Sequence, residues 1–288
     1  VGGGNGAPPG ETTVRDNAYR SVLLCRLAGL GFTKTLNVIA ELDFLYSNGW
    51  ASIPYHTLWS WFTGRRKHRL SRLNSLDKSL YYHRAYRLAL EIKKRHPQWG
   101  HKRVATEVSR RLPIHVPPLT VYFWITGRSR PNITPVKVVP ELGYLAGVLV
   151  GDYKRTDGGL SVKDRGFIEY YVEAYEKVTG VRLEIHEKED EDYGGKYYYT
   201  KENGGFMKAL WRTGLWKTIA LIYPIEFLQG LYDSEGSISP STIELTTGDT
   251  KILAMARHLL HKLGFQTRIR REEPTTKTLG EREVHFNE

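Results

Sequence analysis

The apolar positions of residues 53–65 fall three and four apart, which puts Leu58, Trp61 and Phe62 on one face of a short helix and His56, Trp59 and Ser60 on the other. The arrangement returns 63 positions further on, with Val121, Trp124 and Ile125 facing one way and Leu119, Tyr122 and Phe123 the other. Residues 53–65 and 116–128 align without a gap, and proline, threonine, tryptophan, threonine, glycine and arginine recur at matching places from Pro54 and Pro117 to Arg65 and Arg128. Proline at the start of each segment and glycine just beyond its end are the expected asymmetry of helix termini. A longer amphipathic stretch precedes each short helix, at 33–46 and 102–112, and a further one at 80–95 carries Arg84, Arg87, Lys93, Lys94 and Arg95 on its polar side. Each copy reads helix, turn, helix, basic tail, which predicts an all-α tandem helix-turn-helix module over 16–137, preceded by a disordered tail at 1–15.

A second pattern lies further along. Two apolar helical runs, 145–152 and 228–235, each end on a carboxylate, Asp152 and Glu235. Gly147 and Gly151 lie four apart, as do Gly230 and Ser234, so each run has a face of minimal side chains where two helix backbones can approach. Packed side by side, the runs would bring Asp152 and Glu235 together, and two close carboxylates call for a divalent cation between them. Hard oxygen ligands suit Mg²⁺ or Mn²⁺, which can activate water against a phosphodiester. The rest of this half mixes strand and helix patterns: strands at 159–163, 181–187 and 196–200, helices at 165–179 and within 206–211, then strands at 237–239 and 242–246, a helix at 250–263, and strands at 265–271 and 284–286. The fold class expected is α+β.

Charge sharpens the division. The 288 residues carry a net charge of +11, but residues 1–137 hold 22 Lys and Arg against 7 Asp and Glu, leaving 20 against 24 for the remainder. The front half is the expected polyanion binder, with double-stranded DNA as partner. In this reading Arg65, Arg66, Lys67, Arg69, Arg128 and Arg130 meet phosphates, while His56, Trp59, Ser60, Tyr122 and Phe123 reach toward base edges. Three prolines within 131–140 mark a linker before a second domain at 138–288. Cys25 is the only cysteine, which excludes an intrachain disulfide framework and a cysteine-based zinc site. His258 and His261 share a helical face without a visible third ligand. Neither apolar run approaches the ~20 residues that span a bilayer, and no signal pattern opens the chain, so the expectation is a cytoplasmic protein that touches no membrane.

Residues 144–153 and 227–238 resemble the two copies of the LAGLIDADG motif in single-chain homing endonucleases, with Asp152 and Glu235 at the eighth position of each. The second copy, Phe-Leu-Gln-Gly-Leu-Tyr-Asp-Ser-Glu-Gly-Ser-Ile, is the closer match; in the first, Val150 occupies the sixth position and Tyr153 replaces the ninth-position glycine. The resemblance implies a pseudo-twofold (αββαββα)-type saddle in a monomer, with Asp152 and Glu235 as metal ligands. It also implies Lys163 as a basic residue near the reacting phosphate, and cleavage of both strands to leave short 3′ overhangs. It further directs attention to the acidic hairpin 187–192, which carries five acids where a saddle would face phosphates. The activity expected is a divalent-metal-dependent, site-specific DNA endonuclease; the alternative is a non-catalytic DNA-binding transcriptional regulator on the same scaffold.

Overall fold

The computed structural model describes residues 9–68, 70, 73–153, 158–189, 195–202, 205–270, 276–279 and 282–285. Arg69, among the expected phosphate contacts, lies outside them, as do residues 1–8 of the expected tail and the tip of the acidic hairpin beyond Glu189. Two compact units divide the chain, 1–235 and 236–288.

The first unit opens with α1 (Pro9–Leu27), α2 (Phe32–Tyr46), a 3-10 turn (Trp50–Ser52) and α3 (Tyr55–Thr63). It continues with α4 (Ser75–Arg95), α5 (His101–Arg111) and α6 (Pro118–Ile125). α1 packs on both α2 and α3, and α4 packs on both α5 and α6. The repeat is therefore three helices long, and α1 and α4 are its first helices. α1 starts at Pro9, inside the stretch expected to be a tail. In each short helix the same two positions are buried, Leu58 and Trp61 in α3 and Val121 and Trp124 in α6. Gly64 and Gly127 end them at φ +75 and +72, a region that L side chains rarely enter.

One acid ties the two groups together. Asp77 closes the capping box of α4, taking the Asn74 N–H at 2.9 Å while its own N–H donates to the Asn74 side chain at 2.8 Å. The same carboxylate accepts from the Arg20 guanidinium of α1 at 2.9–3.1 Å, and both side chains are buried.

Beyond the prolines run α7 (Pro140–Val150), β1 (Ser161–Val162), α8 (Arg165–Thr179), β2 (His186–Glu189), β3 (Lys196–Tyr199), α9 (Phe206–Thr213), α10 (Trp216–Ile222) and α11 (Pro224–Glu235). The strands form an antiparallel sheet in the order β1-β3-β2. α8 has the bounds expected from its pattern, whereas 181–185 stays irregular and β2 begins only at His186. α10 has no counterpart in the sequence expectation. Its Trp216 stacks between Trp211 and Phe227, with ring centroids 6.3 and 5.9 Å away.

The second unit holds two separate antiparallel hairpins, β4 (Gly236–Ile238) with β5 (Ile243–Leu245) and β6 (Thr276–Leu279) with β7 (Arg282–His285), and the helix α12 (Thr250–Lys262). The strand expected at 265–271 is irregular over 265–270, while β6 was not expected. Among the described residues no sheet has four strands.

Compactness does not break at the prolines. Val136 donates its N–H to Ser79 O at 3.1 Å and Lys137 donates to Val178 O at 2.9 Å, so the stretch is bonded on both sides. The front helices also lie on the back ones: α1 and α2 pack on α10, α4 packs on α9, and the buried hydroxyls of Ser21 and Thr218 sit 2.8 Å apart. Proline-rich composition signals where a helix cannot propagate, and here that breakpoint is docked between cores.

α7 is the innermost helix, with every residue from Leu142 to Val150 buried. Its closest neighbour is α11. A methyl group at Gly147 would lie 2.2 Å from Phe227 O and 2.6 Å from Leu231 N, and one at Gly230 would lie 2.2 Å from Tyr144 O. Backbone meets backbone there, so the crossing accepts no side chain at either point. Gly143 extends the stripe one turn earlier, where a methyl would meet Tyr223 Cβ at 2.6 Å. Because rigid backbone cannot yield as a side chain does, Gly147→Ala is expected to lower the unfolding free energy by at least about 2 kcal/mol in urea titration. A loss under about 0.5 kcal/mol would mean the helices are not in backbone contact.

Candidate functional site

The α7–α11 crossing ends at Gly151. A methyl there would lie 2.4 Å from Ser234 Cβ and 3.1 Å from Glu235 Cγ, so the stem of Glu235 rests against the residue that immediately precedes Asp152. The chain is held at that point: Gly151 donates to Gly147 O at 3.3 Å, and Tyr153 donates to Val148 O at 3.2 Å. Ser234 turns its hydroxyl back onto Gly230 O at 2.9 Å and leaves the space to the acids. The Glu235 stem and the backbone leading into Asp152, 83 positions apart in sequence, are thus neighbours at the end of one helix pair.

Burial raises the Asp152 carboxyl above its ordinary value, with no compensating cation among the causes. Asp233 is also raised, chiefly by burial; the Tyr144 hydroxyl opposes the shift and Asp164 adds to it. Among the described residues no group of three or more His, Cys, Asp and Glu could enclose a metal ion. The available donor set is two carboxylates. That suits Mg²⁺ or Mn²⁺, which keep several waters and use substrate phosphates to complete their coordination. Lys163 follows β1 at the surface.

Tyr153, the departure from glycine at the ninth motif position, has a structural partner. Its hydroxyl donates to Glu202, whose N–H donates to Gly158 O at 3.2 Å. Leu160 and Thr200 are likewise bonded to each other, through Leu160 O at 2.9 Å and Thr200 Oγ1 at 3.2 Å. The chain leaving the first motif is therefore strapped to the chain leaving β3. Burial pushes the Glu202 carboxyl up to about 7, against the opposing hydroxyls of Tyr153 and Tyr175 and the charge of Lys208. Nothing in the spacing of Glu202 marked it; Gly143, by contrast, was reachable by stepping back four residues from Gly147.

The front helices distribute the other candidates unevenly. His56, Arg65, Arg66, Arg128 and Arg130 are exposed. Ser60 bonds its own helix at Thr57 O, 2.9 Å away. Tyr122 and Phe123 are half-buried, with His101 edge-on to Tyr122 at 5.3 Å and Arg128 over its ring at 5.4 Å. Lys67 is engaged within the protein, donating to Ser109 O at 2.6 Å and to Arg110 O and Leu112 O at 2.5 Å. It caps the C-terminus of α5, where unpaired carbonyls favour a cation.

The acids of β2 are sorted by the strand's two-residue period. Glu187 lies opposite Tyr198 and Glu189 opposite Lys196, while His186 and Lys188 lie opposite Tyr199 and Tyr197 on the other face. Glu187 is also ion-paired to Lys196 at 2.5 Å. The described acids thus share one face with the lysine that neutralises them.

Residues 223–287 match the family of the LAGLIDADG-like domain. The LAGLIDADG-like segment contains the second motif, Glu235 included, and continues through the second unit. An uncharacterized protein of Methanocaldococcus jannaschii, MJ0398, is 24% identical over 189 residues, covering 61% of this chain and 69% of that protein. No solved structure matches. No described helix is long and apolar enough to cross a membrane.

The strap around Glu202 generates a pH prediction. Its folded pKa, about 7, lies above the ordinary 4.5, so protonation favours the folded state. That stabilisation is fully present below the ordinary value and is lost as pH rises through about 7. Unfolding free energies measured from about pH 5 to 8 should fall across this window, by roughly 3 kcal/mol from this group, and Glu202→Gln should remove that part of the slope. Identical slopes in both proteins would contradict the assignment.

Proposed function

We propose that this chain is a site-specific DNA endonuclease of the LAGLIDADG homing type, with the front helices as a tandem helix-turn-helix module that anchors the duplex. The observation that carries the reading is the closeness of Glu235 Cγ to Gly151, since it sets the stem of one motif's acid beside the backbone that leads into the other's. Both motifs lie in one chain, so a monomer suffices to supply the pair.

Asp152 and Glu235 would hold Mg²⁺ or Mn²⁺, which supplies Lewis acidity toward a scissile phosphodiester when bound. The glycine crossing would hold the backbone bearing each acid in place before substrate arrives. Partial burial disfavours the charged form of Asp152, a cost that a bound cation would offset. Lys163 offers a positive charge to the phosphate on the side of β1. Arg65, Arg66, Arg128 and Arg130 neutralise phosphates away from the reacting bond and set register along the duplex.

Digestion of a supercoiled plasmid carrying the genomic locus that encodes the chain tests this reading, with Mg²⁺ or Mn²⁺ present. The wild-type chain should linearise it; Asp152→Asn and Glu235→Gln should each reduce cleavage at least a hundredfold while duplex affinity stays within about threefold, because each removes charge at the site and not the binding surface. Persistent cleavage by either variant would overturn the site. DNA binding without any cleavage by the wild-type chain would favour the transcriptional regulator.

The front helices have their own test. Replacing Arg65 and Arg66 by Ala should weaken binding to all duplex sequences and flatten the salt dependence of log Kd by about one per lost phosphate contact. An unchanged salt slope would remove them from the interface.

A further inference from the structure

One flank of α3 is aromatic. Tyr55, Trp59 and Phe62 stand four and three residues apart on α3 and form a stripe beside the buried Leu58 and Trp61, so Phe62, expected to face the core, is instead half-buried at its edge. Phe32, the first residue of α2, lies against all three, with ring centroids at 5.3, 4.8 and 5.3 Å. The stripe stays open beyond it: Tyr55 is 63% exposed and Trp59 38%. Four rings gathered at a surface, two of them substantially wet, form an uncompensated apolar face.

Cations flank it along the chain. Arg65 and Arg66 follow α3 directly and are exposed, Lys34 stands exposed two residues beyond Phe32, and an Arg26 guanidinium nitrogen lies 3.3 Å from where a Cβ on Gly64 would be. Aromatic faces set among cations fit a ligand that alternates flat apolar rings with phosphates. Paired bases in a duplex hide their faces in the stack; unpaired bases offer them.

The second copy of the repeat supports an assignment to α3 alone. At the positions of Phe32, Tyr55, Trp59 and Phe62 it has His101, Pro118, Tyr122 and Ile125, and only one ring pair survives, His101 with Tyr122. The shared contact between the first residue of the middle helix and the short helix is a feature of the repeat. The added aromatic area belongs to the first copy.

We propose that the Phe32–Tyr55–Trp59–Phe62 face is a base-stacking platform for single-stranded DNA, with Arg26, Lys34, Arg65 and Arg66 on the phosphates. It gives the chain a hold on melted or displaced strand in addition to any hold on duplex, and it does not depend on the endonuclease reading.

The test is fluorescence anisotropy of the full chain with a thymidylate single strand of about twelve nucleotides and with a duplex of equal length. Tyr55→Ala and Trp59→Leu should each weaken single-strand binding about tenfold, as the loss of one stacked base does, and Tyr55→Ala should change duplex affinity less than twofold. Trp59→Phe keeps a π-face and should retain most of the single-strand affinity, whereas Trp59→Leu keeps apolar bulk without one. Tyr55 is largely exposed, so its replacement decides the matter should a Trp59 variant misfold. Single-strand affinity within twofold of wild type in Tyr55→Ala, or equal losses on duplex and single strand, would overturn the proposal. So would equal affinities of Trp59→Leu and Trp59→Phe for the single strand, which would point to a surface for an apolar protein partner.

Discussion

The close approach of α7 and α11 is the constraint on which the first unit depends. Two helices normally run 8–10 Å apart with side chains between them. Here Gly147 sits against the Phe227 carbonyl and Gly230 against that of Tyr144, leaving no room for a Cβ. The contact does two jobs at once. It makes α7 the buried spine of the unit, and it fixes where the ends of the two helices emerge, with the Glu235 stem beside Gly151 and therefore beside Asp152.

The rest of the unit supports this crossing. α10 packs on both helices and inserts Trp216 against Phe227, and it carries Thr218, which meets Ser21 of α1. The front helices are thereby bound to the same core that positions the acids. Arg20 and Asp77 tie α1 to α4 in a buried pair, and such pairs cost much when one partner is removed. A cut at the prolines would expose these contacts, so separated front and back halves would not be fair tests of either.

What could be read from the sequence was what repeats with a fixed period or ends on a distinctive residue. The matching faces of α3 and α6, the bounds of α8, the glycine stripe and the two acids are of this kind. α4 was expected at 80–95 but as a helix between the copies, and α1 was not expected, because the two share no matching motif; α10 was missed because its seven residues are too few to show a helical period. Lys67 illustrates the limit of charge counting: it belongs to a basic tail in sequence, but its ammonium finds three carbonyls at the end of α5 before it could find a phosphate. Glu202 is the reverse case, an isolated acid whose importance comes only from the tyrosines the fold gathers around it. The strands were the least legible part, being two to four residues long and too short to establish alternation.

The central claim is that Asp152 and Glu235 form one site and not two separate ones. Mn²⁺ binding to the full chain, followed by the loss of the free-ion electron paramagnetic resonance signal, tests this through wild type, Asp152→Asn, Glu235→Gln and the double variant. If the acids share an ion, each single substitution should weaken binding nearly as much as both together, because removing either partner already disables the common site. Losses that add independently, or Mn²⁺ affinity unchanged in both single variants, would contradict the account.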